Sequence, residues 1–290
     1  MSPRRNARAT APPPMRRPAT RGRTRALGQH FLRDRSVVDR IVDLVRPTPR
    51  DLVVEIGPGR GALTEALASR AGRLIALEID GDLVVTLQAR FAAAPHVEIR
   101  QADARRFDAT GFRALVPAPD GRLIVVGNLP YSVGKPILAA LVDAGPAIDE
   151  MALMLQKEVA ERVAAPPGGK TYGALSVLTQ VSASVELAFS VPPGAFSPPP
   201  QVDSAVIRLV PHREPPVPIA DPSRFGAVVR AAFGQRRKSL ANALAAGLAV
   251  PADRARRLAQ AAGIDPGRRA ESLSLAEFAR LASTTDRSEP

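Results

Sequence analysis

The amino-acid sequence predicts an α/β protein, a mostly parallel sheet flanked by helices, followed by a small α-helical domain. Three observations carry this. Short apolar strands alternate with helical periodicity between residues 36 and 156. The first strong strand runs directly into a glycine-rich turn, Gly57-Pro58-Gly59-Arg60-Gly61. Four prolines in 211–218 then separate this region from a tail with only helical patterning.

Taken in order, Val37, Val38, Ile41, Val42, Leu44 and Val45 recur at helical spacing. The β-branched run 52–56 ending in glycines reads as a buried strand. Residues 62–69 read as a helix, 74–78 as a strand and 81–91 as a helix. Strands follow at 97–100 and 123–127, then a helix at 135–143 and a strand at 151–156. Residues 191–200 hold five prolines and form a rigid irregular segment. Strand alternation returns at 202–209, and 222–233, 236–246, 251–262 and 275–282 read as short helices. The domain boundaries that follow are 1–25, 26–212 and 213–290. There are no internal repeats.

Composition bounds the function classes. The 290 residues carry 40 Lys+Arg against 28 Asp+Glu, a formal net charge of +12, which makes a polyanion the expected partner. The charge is uneven. Residues 1–25 hold eight Arg and no acid (+8), 26–212 are nearly neutral (−1) and 213–290 carry +5. The first 25 residues combine Arg with five Pro and almost no large apolar side chain, a composition that predicts a disordered, polyanion-binding arm. The absence of Cys excludes disulfides, thiolate-ligated zinc and a thiol nucleophile, and is compatible with a reducing compartment. No apolar run reaches the roughly 18 residues of a membrane span, and the basic N-terminus lacks the apolar stretch of a secretory signal.

In parallel sheets ligands bind beyond the carboxyl ends of the strands, and the unusual residues fall there. Glycines in the 57–61 loop let the backbone turn tightly and approach a ligand beside a helix N-terminus. Glu78 ends the next strand, where a carboxylate can accept ribose hydroxyls. Asp103 follows the third strand and can accept from an adenine amino group, or serve only as a helix N-cap. The E-x-G-x-G-x-G spacing differs from the G-x-G-x-x-G of dinucleotide binders. It favours an adenosine ligand without pyrophosphate, such as S-adenosylmethionine.

After the fourth strand comes Asn128-Leu129-Pro130-Tyr131. An exocyclic base amine is a poor nucleophile because its lone pair is delocalised into the ring. It attacks a methyl donor only when acceptors draw its hydrogens away and let the nitrogen pyramidalise. The Asn128 side-chain oxygen and the Leu129 carbonyl can be those acceptors. Pro130 stiffens the turn, and Tyr131 offers a face to an unstacked base. No strong general base is needed, because the methylated amine loses its proton to water, and no metal is expected.

With these motifs the chain resembles the ribosomal RNA adenine dimethyltransferases, in particular their bacterial small-subunit members. The segments that carry the resemblance are Leu27-Gly28-Gln29-His30-Phe31-Leu32, the 55–61 loop, Leu77-Glu78-Ile79-Asp80 and Asn128-Leu129-Pro130-Tyr131. To these add Gln156-Lys157-Glu158-Val159-Ala160-Glu161-Arg162, Tyr172-Gly173, the 196–204 segment and Phe233-Gly234-Gln235-Arg236-Arg237-Lys238. The resemblance implies a Rossmann-like class I methyltransferase that moves four methyl groups from S-adenosylmethionine to two adjacent adenines near the 3′ end of 16S rRNA. The substrate would be a pre-assembled small subunit, and the enzyme a cytoplasmic monomer. It also implies cofactor contacts from His30, Leu32, Gly57, Glu78, Asp103 and Asn128. The target adenine would lie on Tyr131 with Phe196 closing the other face. Many members have Asn where this chain has His30, and the Arg/Pro arm is outside the family pattern. Arg236, Arg237 and Lys238, read as a basic helix face, are candidate rRNA backbone contacts.

Three alternatives compete: a relative that methylates one adenine of 23S rRNA, an assembly or transcription factor that keeps the fold without turnover, and a dehydrogenase. The form of the Asn128–Tyr131 motif and the 233–238 segment argue against the first. The intact Glu78, Asp103, Asn128 and Tyr131 argue against the second, and the glycine spacing against the third.

Overall fold

The computed structural model describes residues 29–285. The Arg/Pro arm, 1–25, and residues Leu27 and Gly28 lie outside the described residues. The chain opens with a two-residue strand β1 (Phe31–Leu32) and helix α1 (Arg35–Val45). The Asp34 side chain caps α1 by accepting from the Ser36 N–H. Val37, Val38, Ile41, Val42 and Val45 are all buried. β-Branched residues cost a few tenths of a kcal/mol each in a helix, whereas burial of each returns roughly 1.5–3 kcal/mol, so packing decides the conformation.

The sheet then builds from the centre outward. β2 (Leu52–Ile56) is followed by α2 (Ala62–Ala68), β3 (Arg73–Glu78), α3 (Gly81–Arg90), β4 (Val97–Gln101), α4 (Ala109–Arg113), β5 (Leu123–Asn128), α5 (Gly134–Asp143) and β6 (Glu150–Gln156). These five strands are mutually parallel, with Val54 opposite both Ile75 and Val125. Helices α6 (Lys157–Ala164) and α7 (Ala174–Gln180) precede the long strand β7 (Ala183–Val191), the short β8 (Phe196–Ser197) and β9 (Ser204–Pro211). β9 inserts antiparallel between β6 and β7, giving the order β4-β3-β2-β5-β6-β9-β7.

The period of two in β2 divides the core. Leu52, Val54 and Ile56 face one hydrophobic cluster with Leu138, Leu141 and Val163. Val53 faces the other, with Val38, Ile41, Leu63 and Leu67 from α1 and α2. The predicted mostly parallel sheet with helices on both faces is therefore observed. Among the elements the sequence reading did not resolve are α6, α7, β7 and the two-residue strands β1 and β8.

Four helices close the chain: α8 (Pro222–Gly234), α9 (Leu240–Gly247), α10 (Ala252–Ala261) and α11 (Leu275–Thr284). Their cluster includes Phe225, Val229, Leu244 and Phe278, and it reaches back to Ala165, Tyr172, Val177 and Val181. A capping box starts α11, with the Ser274 hydroxyl and Glu277 carboxylate bonded reciprocally to each other's backbone N–H. Two expected boundaries shift. The strand expected at 202–209 begins at Ser204, and the helix expected at 236–246 begins at Leu240, so Arg236, Arg237 and Lys238 sit in the turn between α8 and α9 rather than on a helix face.

Candidate active site

The site forms where the strands end. Its floor is the glycine loop after β2, one wall is the end of β3, and the other is the turn after β5. Gly57, Gly59, Glu78, Asn128, Leu129, Pro130 and Tyr131 line a single cleft together with His30 and Leu32. Gly57 has φ +67° and Gly59 φ +57°, and a Cβ on Gly59 would stand 2.8 Å from the Phe31 ring. Glycine is thus required by both backbone conformation and space. A cradle that side chains would fill is the geometry a nucleoside ligand needs.

Glu78 organises this cradle. Its Oε2 accepts from the Gly59 N–H at 3.1 Å, and its Oε1 from the N–H groups of Ile79 (2.9 Å) and Asp80 (3.0 Å). About four acceptor directions exist on a carboxylate, so roughly one is left for a ribose hydroxyl. Burial pushes the Glu78 carboxyl above the usual carboxylate range, and the three backbone N–H bonds offset only part of that.

The acceptor end is assembled from three chain segments. β1 pairs antiparallel with β8, Leu32 opposite Phe196, which carries the N-terminal motif to the mouth of the sheet. There Asn128 Nδ2 donates to the His30 carbonyl at 3.0 Å. That bond uses one of the amide's two N–H groups and leaves Oδ1 to accept from a substrate amine. The Leu129 N–H donates to the Met154 carbonyl (3.0 Å), locking the turn to β6. The Tyr131 hydroxyl shares a 2.6 Å hydrogen bond with the Ser204 hydroxyl, whose residue is fully buried. The His30 ring lies 5.6 Å from the Tyr131 ring, tilted by 36°, and its Nδ1–H donates to the Pro198 carbonyl at 2.9 Å.

Several expected roles change. Phe196 is 1% exposed and packs in the core with Leu32, Val38 and Val206, so it backs β1 and does not present a face to a base in this conformation. Asp103 is not among the residues lining the cleft. Its carboxylate is engaged by the Arg105 guanidinium, at 2.9 Å from Nε and 2.6 Å from Nη2 to Oδ2, and it caps a short 3₁₀ turn through the Arg105 N–H. Arg236 reaches the Lys170 and Tyr172 carbonyls and the Glu271 carboxylate, so it latches the α8–α9 turn to the preceding loop. Arg237 and Lys238 beside it are exposed.

The cleft also contains residues given no role in the sequence reading. Phe31 sits under the glycine loop, with the Arg60 guanidinium 4.6 Å from its ring centre. Gln29 and Glu55 each keep a buried oxygen without a hydrogen-bond partner, Oε1 and Oε2 respectively. Glu55 is 1% exposed, and burial drives its carboxyl up to about 8, with the Thr64 hydroxyl pulling down and Glu78 adding to the rise. A carboxyl within an otherwise apolar strand, Leu-Val-Val-Glu-Ile, was the signal in the sequence. The orphaned buried oxygens and the glycine cradle together fit a polar, positively charged nucleoside ligand.

Fold and cleft define an S-adenosylmethionine-dependent methyltransferase of the Rossmann-like class. The chain belongs to the ribosomal RNA adenine dimethylase family, which it matches over residues 21–287. It is 48% identical over 258 residues to the ribosomal RNA small subunit methyltransferase A of Xanthomonas campestris pv. campestris, covering 89% of this chain and 94% of that one. The protein of the same name from Chromohalobacter salexigens is 44% identical over 272 residues, 94% of both chains. Among solved structures, a dimethyladenosine transferase from Plasmodium falciparum shares the fold at TM-score 0.74 and 23% identity, covering 89% of this chain and 98% of that one. The 23S rRNA methyltransferase ErmE matches at TM-score 0.65 and 27% identity, covering 88% and 99%. The family membership, the small-subunit enzymes among its relatives and the cofactor class are those the motifs implied. No helix among the described residues is long and apolar enough to cross a membrane.

Proposed function

We propose that this chain dimethylates the N6 amino groups of two adjacent adenines in the 3′-terminal hairpin of 16S rRNA, late in small-subunit assembly, as a cytoplasmic monomer. The observation that carries this is the Asn128 amide, its nitrogen held by the His30 carbonyl and its residue lining the same cleft as the glycine cradle. S-Adenosylmethionine supplies an electrophilic methyl on a sulfonium. The protein's own residues do the rest. Gly57 and Gly59 admit the nucleoside, and Glu78 takes a ribose hydroxyl. Asn128 Oδ1 and the Leu129 carbonyl accept the two hydrogens of the adenine amine, leaving its lone pair to face the methyl group. Tyr131, fixed by Ser204, supports the flipped base on one face.

Two assignments are refined by the geometry. Asp103 accepts the cofactor's adenine amine only as Arg105 releases one of its oxygens. Rotation of Phe196 out of the core would be needed before it could close the second face of the base. Arg237 and Lys238 contact rRNA phosphates, and Arg236 holds the turn that presents them. The similarity to the small-subunit methyltransferase A proteins supports this substrate over 23S rRNA.

The test is methyl transfer by the purified chain onto undermethylated small subunits, naked 16S rRNA and large subunits in parallel. The expected result is rapid incorporation only into small subunits, up to four methyl groups each. Preferential methylation of large subunits or of 23S rRNA would overturn the assignment.

A further inference from the structure

One buried group in the cleft has no part in the chemistry above. Glu55 ends the central strand β2 just before the glycine loop, is 1% exposed, lines the cleft and keeps Oε2 unpartnered. No Lys or Arg among the described residues forms an ion pair with it or with Glu78, although both are buried and adjacent. Two buried carboxyls in one cleft, with no ion pair to either among the described residues, cannot both stay ionised cheaply, so one holds a proton. Glu78 has three N–H donors to stabilise its charge. Glu55 has only the neighbouring Thr64 hydroxyl, itself fully buried and in no hydrogen bond of ordinary geometry.

Among the described residues, Glu78 from β3 and Thr64 from α2 act on Glu55. The other titratable or polar side chains of the same cleft include Arg60 from the glycine loop, His30 from the N-terminal segment, and the neutral Asn128 and Tyr131 from β5 and the turn after it. Arg60 is directed over the Phe31 ring and the His30 Nδ1–H is bound to the Pro198 carbonyl, so neither neutralises Glu55. Among the described residues no side chain supplies a cation to this floor, and a cationic ligand would supply it.

We propose that Glu55 is the charge-discriminating residue of the cofactor cleft: neutral without a cationic ligand, it loses its proton to solvent when a sulfonium binds and so favours the charged methyl donor over the neutral thioether product. Once the sulfur is neutral, Glu55 takes a proton back from solvent and the hold on the product weakens. This is a specificity and turnover role, separate from the reacting atoms. It rests on the assignment of this cleft to S-adenosylmethionine.

The sign of the pH dependence follows. The carboxyl of the ligand-free protein is raised to about 8 by burial. Below that value a sulfonium must expel a proton to bind, so its affinity rises with pH and levels off above it. For a group that ionises completely on binding from a value of about 8, the preference for S-adenosylmethionine over S-adenosylhomocysteine should rise about 25-fold between pH 6.5 and 8.5.

The experiment is calorimetry of the full chain with each of the two ligands, without RNA, across that pH range and in two buffers of different ionisation enthalpy. Wild type should show this rise, with extra proton release near pH 7 for S-adenosylmethionine. Glu55→Gln, which keeps the shape, should show a flat preference without the extra proton. The ligands' own amines titrate in both proteins and cancel in the comparison. Thr64→Val removes the hydroxyl that stabilises the ionised form and should move the rise to higher pH, which tests the idea independently of the glutamine variant. A wild-type preference that does not change with pH, or the same change in Glu55→Gln, would overturn the proposal while leaving the methyltransferase assignment intact. Failure of S-adenosylmethionine to bind at all would overturn both.

Discussion

At the N-terminal edge of the sheet Asp51 and Glu150 are buried against Arg122 and Arg208, while at its carboxyl edge Glu55 and Glu78 are buried and form no ion pair among the described residues. Arg122 bridges the first pair, 2.9 Å from Asp51 Oδ2 and 2.8 Å from Glu150 Oε2, and also donates to the Val45 and Arg46 carbonyls. Burial alone would raise the Asp51 carboxyl, but Arg122 and Thr48 hold it below the usual carboxylate range. At the other edge burial prevails and both carboxyls are pushed up. Carboxyls at similar depth tie the fold together where they are paired and line the cleft where they are not. A parallel sheet places its ligands at the unpaired edge.

Breaking each edge should produce opposite phenotypes. Asn128→Ala removes the oriented acceptor, and its rate of methyl transfer in single-turnover assays should fall by about 10³ or more, with subunit binding changed less than about twofold. Arg122→Ala should do the reverse. It strands the buried Asp51 and leaves Glu150 to Arg208 alone, and because Arg122 is about one-third exposed the loss belongs at the low end for broken buried pairs, about 3 kcal/mol in urea unfolding, with methyl transfer per folded molecule preserved.

The pH dependence of stability should also differ in sign between the edges. Asp51 has a lowered folded value, so its contribution is present above the unfolded value near 4 and is lost as pH falls through the folded one. Unfolding of wild type against Asp51→Asn should therefore show a gap that closes below about pH 4. Glu55 has a raised folded value of about 8, so its ionisation in the unfolded chain erodes stability as pH rises from about 4 towards 8. Glu55→Gln should accordingly be more stable than wild type, by a margin larger at pH 8 than at pH 5 in ligand-free denaturation. Equal margins would contradict the account of that edge.

Smaller effects test the periphery of the site. Tyr131→Phe keeps the ring and loses the bond to Ser204, worth about 1 kcal/mol, so activity should fall only severalfold, whereas Tyr131→Ala should fall much further. Arg237→Ala and Lys238→Ala should each flatten the salt dependence of subunit binding by about one unit of slope. Arg236→Ala should instead loosen the turn, read as faster proteolysis near 235–239, because its guanidinium is bound to Lys170, Tyr172 and Glu271.

The parallel half of the fold was legible in the sequence because β2, β3, β5 and β6 are buried on both faces and bounded by glycines or helical periodicity. Strand β7 was not, since its residues are largely part-exposed along the edge of the sheet and give neither a clean run nor a clean alternation. β1 and β8, two residues each, are too short to carry any period, yet they bring Leu32 against Phe196 and build the acceptor end. Among site residues, Gly57, Glu78 and Asn128 were readable because backbone position alone commits them to the cleft. Asp103 and Phe196 were harder to read because their side chains decide the role. One is captured by Arg105 two residues on, and the other folds inward into a core that only tertiary packing creates. Glu55 was visible as a carboxyl in an apolar strand, and its meaning required the tertiary packing that leaves it without an ion pair among the described residues.

The central claim is tested most directly by mapping methylated adenines, by mass spectrometry, in ribosomes from a strain deleted for this chain. The account predicts loss of dimethylation at two adjacent adenines of the 16S 3′-terminal hairpin, restored by the wild-type chain and not by Asn128→Ala. Intact 16S dimethylation with loss confined to 23S rRNA would contradict it.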